Sequence, residues 1–97
     1  MSMNRKNNWN SYGFALISKY RRIILRSLLE SPKTPTQIAN EHDCNVSHIS
    51  RALRELKEKG LVRCLNPERR KGRIYALTDK GLRIAKRLKT TSGKSQE

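Results

Sequence analysis

The 97-residue sequence predicts a small α+β domain, mostly helical, with one β-hairpin. Three observations predict it. Apolar residues recur at helical spacing in four segments. Capping residues stand at segment starts. A turn-forming cluster separates two short segments rich in branched residues. A chain of this length holds one small domain and buries roughly 60–65% of the surface its unfolded form exposes. Residues 12–89 are the expected folded part. Residues 1–11, polar apart from Met1, Met3 and Trp9, are expected as a flexible arm, and residues 90–97, which carry no hydrophobic anchor, as a disordered tail.

The first predicted helix runs from Tyr12 to Glu30. Ile17, Tyr20, Ile24, Leu25, Leu28 and Leu29 share one broad face, and Lys19, Arg22 and Arg26 lie opposite. Arg21 falls inside the apolar arc, where it must leave the core edge or bury its stem and extend its head to water. Pro32 closes this helix, because the residue before a proline disfavours the helical basin. Thr34-Pro35-Thr36-Gln37 is a capping box with proline at the first helical position, and starts a short helix ending near His42 with Ile38 and Ala39 inward. Asp43-Cys44-Asn45 is a turn. Asn45 caps a longer helix from Val46 to Lys59 that buries Ile49, Ala52, Leu53 and Leu56. Gly60 terminates it in the left-handed conformation. Leu61–Leu65 and Arg73–Leu77 are the predicted strands, joined by the loop from Asn66 to Gly72. Thr78-Asp79 starts a last helix to about Lys89, with Leu82, Ala85 and Leu88 as its apolar line and Ile84 beside it.

Charge narrows the function. Lys and Arg total 22 against 8 Asp and Glu, a formal net charge of +14. The partners of such a surface are acidic: nucleic acid, an anionic membrane face or an acidic protein. No apolar run approaches the ~18 residues of a membrane span, and the first ten residues lack a secretory pattern, so a cytoplasmic protein is expected. Two helices joined by a short turn form a helix-turn-helix, whose second helix enters the major groove of DNA. That helix needs short polar residues near its start and cations further along, which Ser47, His48, Ser50, Arg51 and Arg54 supply as candidate base readers. The hairpin tip carries Arg69, Arg70 and Lys71, with Arg73 beyond it, and reads as a wing against phosphates or the minor groove. Thr36, Gln37 and Lys57 complete the candidate backbone contacts.

Thr36-Gln37-Ile38-Ala39, the run from Val46 to Val62 and the run from Gly72 to Gly81 resemble a winged helix-turn-helix transcription regulator of the ArsR and MarR type. The wording of the first two stretches looks like archaeal members in particular. The resemblance spans about residues 17–89 and implies that 46–59 is the recognition helix, that 66–72 is the wing, and that Ser47, Ser50, Arg51 and Arg54 contact DNA. The chain departs from the metal-sensing ArsR pattern in lacking a Cys-x-Cys pair, and from full MarR proteins in lacking long extra helices.

Other sites are weak. His42, Cys44 and His48 crowd the turn, but a structural zinc site takes four ligands and no fourth follows at suitable spacing. Cys44 and Cys64 read as small hydrophobes unless folding brings their Cα atoms within about 7 Å. There is no catalytic triad, no carboxylate pair and no glycine-rich phosphate loop, so neither an enzyme nor a cofactor is expected. Four of the five aromatics (Trp9, Tyr12, Phe14 and Tyr20) precede residue 21. They either cover the back of the core or build a homodimer seam with the last helix. The competing functions are a winged-helix protein-interaction module and a non-specific architectural DNA-binding protein.

Overall fold

The computed structural model describes residues 11–95, with side chains described through Lys89. Residues 11–17 form α1. There follow α2 (Lys19–Glu30), α3 (Pro35–Glu41), α4 (Val46–Glu58), β1 (Val62–Cys64), β2 (Tyr75–Leu77) and α5 (Asp79–Ser95). The arm expected at residues 1–11 and Trp9 lie outside the described residues, apart from Ser11, which is buried in α1.

One helix was expected from Tyr12 to Glu30, and two are found. Ser18 is extended (φ −106°, ψ 127°) and its hydroxyl accepts from the Arg21 amide at 3.3 Å, capping α2. Serine favours such a position because its side chain satisfies an amide that the first turn leaves open. The break resets the helical phase, so Ile17, expected inward, is 80% exposed, while Ala15 is buried. Within α2 the expected face holds: Ile24, Leu25 and Leu28 are buried.

Both ends of the helix-turn-helix follow local chemistry. Thr34 and Gln37 form the reciprocal capping box, at 2.8 and 3.1 Å. At the end of α3 the Cys44 amide donates to the Ala39 carbonyl (2.8 Å) and Asp43 sits in the left-handed region with φ 54°. The end of α4 repeats the geometry: Leu61 donates to Leu56 (2.9 Å), Gly60 donates to Lys57 (2.9 Å), and Gly60 has φ 77°. Both are Schellman closures, one using the expected glycine and one an aspartate.

The strands are shorter than expected. They pair antiparallel as Val62↔Leu77, Arg63↔Ala76 and Cys64↔Tyr75. A third piece of backbone joins them, since Lys33 and Tyr75 exchange hydrogen bonds of 3.1 and 2.9 Å. Thr78 fixes the start of α5: its hydroxyl donates to the Gly60 carbonyl (2.6 Å) and accepts from the Gly81 amide (3.1 Å). Gly81 then lies against Leu61 so closely that a Cβ would stand 1.9 Å from the Leu61 carbonyl oxygen. This contact rotates α5 so that Gly81, Ile84, Ala85 and Leu88 face inward, and Leu82, expected on that line, is 37% exposed. α5 also runs past Lys89 into the segment expected to be disordered. Once a helix is anchored, each added residue gains a hydrogen bond without a nucleation cost.

Lys33 is buried although no sequence signal marks it. Its ammonium donates to Ser27 Oγ (3.0 Å), Glu30 Oε1 (2.8 Å) and Glu41 Oε1 (2.9 Å). Three protons thus meet three acceptors, as a buried ammonium requires. Burial opposes the charge, but the hydrogen bonds and attraction of Glu30 and Glu41 outweigh it and hold the Lys33 pKa above its ordinary 10.5. The hydrogen bond from Lys33 holds the Glu41 carboxyl below its ordinary 4.5. This cluster ties the ends of α2 and α3 to β2, and so sets the helix-turn-helix against the hairpin.

Candidate nucleic-acid interface

The burial of Ile49, Ala52, Leu53 and Leu56 decides how α4 is turned. Directly opposite them, at 100° per residue, stand Ser47, Arg51, Arg54 and Glu58, all exposed. Ser50 and Lys57 lie on one flank of this stripe, and His48, Glu55 and Lys59 on the other. The two flanks do different things.

The first flank faces the wing. An open groove of about 480 Å³ is lined by Thr34, Pro35 and Thr36 from the start of α3, Val46 and Ser50 from α4, and Arg70, Lys71, Gly72, Arg73 and Tyr75 from the hairpin. Thr36, Ser50, Arg70, Lys71 and Arg73, distant in sequence, therefore share one concave surface. Val46, 43% exposed, and Tyr75 join them without having been expected as site residues. In the sequence Val46 marks only the start of the helix.

The wing is held by Asn66. Its side chain donates to the Gly72 carbonyl (3.2 Å) and accepts from the Ile74 amide (2.8 Å), while Gly72 turns the chain with φ 69°. Arg73 was expected to reach outward. Instead its guanidinium donates to the carbonyls of Arg69 (2.5 Å) and Pro67 (3.2 Å) and braces the loop. Arg69 likewise donates from Nε to the Lys71 carbonyl (3.3 Å). The structure gives no such loop contact for Arg70 or Lys71, and both are exposed. Gln37 spends its side-chain oxygen on the capping box, and the Ser47 hydroxyl donates to Asn45 Oδ1 at 2.8 Å.

The second flank of α4 is a seam with α1 and α2. The His48 ring stacks on Tyr20, with centroids 4.9 Å apart and planes 11° from parallel. Arg21 donates from Nε and Nη2 to Glu55 Oε1 (3.2 and 3.0 Å) and from Nη1 to the Phe14 carbonyl (2.8 Å). Its guanidinium carbon also lies 3.6 Å from the Phe14 ring centroid, and the Lys59 ammonium lies 5.3 Å from the same ring. The misplaced arginine of the sequence is thus the junction of three helices. His48 borders the exposed stripe instead of standing in its middle.

Cys44 and Cys64 are free thiols bound to different partners: Cys44 Sγ donates to the His42 carbonyl (3.3 Å) and Cys64 Sγ to Asn66 Oδ1 (3.5 Å). Among the described residues no three metal-binding side chains gather, and no helix is long and apolar enough to cross a membrane.

A family model described as the HVO_A0261 N-terminal domain matches residues 9–95. The chain belongs to this family. No curated protein matches it. Among solved structures, the chain is similar to ZitR of Lactococcus lactis, wild type in complex with DNA. Identity there is 25% and the TM-score 0.70, over 77% of this chain and 52% of that one. It is also similar to the MarR family transcription regulator SP03579, at 25% identity and a TM-score of 0.74 over 90% and 59% of the two chains. The adhesin competence repressor AdcR of Streptococcus pyogenes, at 15% identity, a TM-score of 0.74 and 81% and 60% coverage, shares the fold. The chain therefore has the winged-helix fold of MarR-family regulators, and it spans between half and three fifths of the length of these relatives.

Proposed function

We propose that the chain binds double-stranded DNA in a sequence-specific manner and acts as a transcriptional regulator. The observation that carries this reading is the joint surface of α4 and the wing: an exposed stripe of Ser47, Arg51 and Arg54 beside a groove rimmed by Arg70 and Lys71. Arg51 and Arg54 have the reach and the paired donors for guanine O6 and N7. Ser47 and Ser50 are short enough to let the helix approach base edges. Arg70 and Lys71 meet phosphates, joined by Thr36 and Lys57, and Arg69 and Arg73 hold the loop that presents them. His48 contributes at the margin. The ZitR structure with DNA supports the reading at the level of the whole domain.

Selection of duplexes from a random pool tests it. One enriched motif is the expected result. Tight retention without enrichment would favour an architectural role, and no retention a protein-docking module. On the enriched site, Arg51→Ala should cost about 1–3 kcal/mol and relax preference at one position. Arg70→Ala should weaken all sequences alike. If about six phosphates are neutralised, log K falls with log salt at a slope near −5. An unchanged preference in Arg51→Ala would sink the assignment of α4.

A homodimer is the assembly that reading a palindrome requires. Leu16 and Ile17, exposed on α1, support a seam there. Sedimentation should give a dimer in the micromolar range, and a monomer at high micromolar concentration would remove the seam.

A further inference from the structure

Val46 opens α4 and is 43% exposed, yet neither the core nor the helix cap uses it. Asn45 caps the helix with its own side chain, which accepts from the Ser47 amide at 2.9 Å. A hydrophobic staple takes one residue just before the cap and one four residues after it. Those places are held by Cys44 and Ile49, and both pack in the core. The buried face of α4 is Ile49, Ala52, Leu53 and Leu56. A first helical turn gains more from an acidic residue or a proline than from valine, which loses side-chain freedom in a helix.

The surroundings of Val46 are polar and basic. It lines the open groove beside Thr36, Ser50, Arg70 and Lys71. Val46 and Ser50 stand four residues apart, so they share one side of α4 and face the wing together. Pro35 and Tyr75 line the groove as well. Pro35 opens α3 and Tyr75 lies in β2, whereas Val46 belongs to the helix assigned to the bases. Valine can neither donate nor accept a hydrogen bond. Against a cytosine amino group or a guanine carbonyl it would displace water and supply nothing in return. The apolar group that a base edge presents in the major groove is the methyl on C5 of a pyrimidine. Seated against Val46, such a methyl loses no hydrogen bond, and its burial is worth roughly fourfold in affinity.

Given that α4 and the wing read bases, on which this step rests, we infer that Val46 is a specificity residue that reads the C5 methyl group of a pyrimidine at one position of the duplex. The contact discriminates by apolar fit, where Arg51 and Arg54 discriminate by hydrogen bonds. Thymine and 5-methylcytosine carry the same group.

The test takes the site enriched from the random pool and measures the affinity of the full chain with each thymine in turn replaced by uracil. Uracil keeps the pairing and the O4 acceptor and lacks only the methyl. A second series replaces each cytosine in turn by 5-methylcytosine. At one position the methyl should strengthen binding by the native chain about fourfold. The series in which that step appears names the base. Val46→Ser should nearly abolish the step, and Val46→Ile should keep it. Each ratio compares two duplexes on one protein, so any change in folding cancels from it. Steps that all persist undiminished in Val46→Ser, or no step in either series, overturn the inference. Arg51→Ala separates it from the wider reading of α4. A relaxed preference in Arg51→Ala without a methyl step leaves that reading intact and removes only the role of Val46. A pool with no enriched motif removes both.

Discussion

Asp43 and Gly81 are two residues whose backbones matter more than their side chains. Asp43 closes α3 at φ 54°, a conformation that costs an L-residue free energy which glycine does not incur. Asp43→Gly should therefore raise stability by about 1 kcal/mol, seen as a higher urea midpoint. An unchanged or lower midpoint would show that the aspartate has a compensating role in the turn. Gly81 is the opposite case. Its φ is ordinary, but the Leu61 carbonyl oxygen occupies the place of a Cβ at 1.9 Å, and the obstacle is backbone that cannot swing aside. Gly81→Ala should destabilise by about 1–3 kcal/mol or more, because α5 must lift from the loop after α4. Equal melting temperatures for Gly81→Ala and the native chain would contradict that packing.

Among the elements, the seam between α4 and the α1–α2 pair has the clearest consequence. Arg21 makes three hydrogen bonds, two of them to the Glu55 carboxylate, with its side chain 15% exposed. Hydrogen bonds to charged groups that are largely shielded contribute about 1.5–3 kcal/mol. Arg21→Ala should lose about that much in urea denaturation. It should also weaken binding to DNA without touching it, because α4 loses the brace on one flank. In a double-mutant cycle with Glu55→Ala the two losses should not add. Additive losses would mean that the pair is not a unit. Most of the elements themselves are legible in the sequence. The capping box at Thr34, the cap at Asn45 and the stop at Gly60 are local rules, and each is found where the residues put it. The break at Ser18 is not legible, because apolar spacing continues across it and only the path of α1 over Arg21 selects the cap. Lys33 gives no signal either. Its burial depends on Glu30 and Glu41 arriving from the ends of two helices.

For the molecule as a whole, that cluster links stability to pH. The Glu41 pKa is lowered in the folded state, so its contribution is present above the ordinary value of 4.5 and is lost as pH falls through the folded value. The Lys33 pKa is raised, so its contribution is present below 10.5 and is lost as pH rises through the folded value. Between those limits both contributions are complete. The stability gap between the native chain and Glu41→Gln should thus be constant near neutral pH and close as the pH falls below the ordinary 4.5 and through the lowered folded value. A gap that widens with acid would reverse the sign and exclude the ion pair as its source.

By itself the sequence determined the class of fold, the order of its elements from α2 onward, the residues facing inward on α3 and α4, and the positive charge of α4 and the hairpin loop. These follow from rules that act within a few residues: helical spacing, caps, and turn formers. Only the tertiary structure decided which polar side chains face outward. Arg73 folds back on its own loop, Arg21 joins three helices, His48 leans on Tyr20, and Lys33 goes inside. A long polar side chain has no preferred direction until partners surround it: those of Arg73 come from the folded turn of its own loop, and those of Arg21, His48 and Lys33 arrive only when the helices pack.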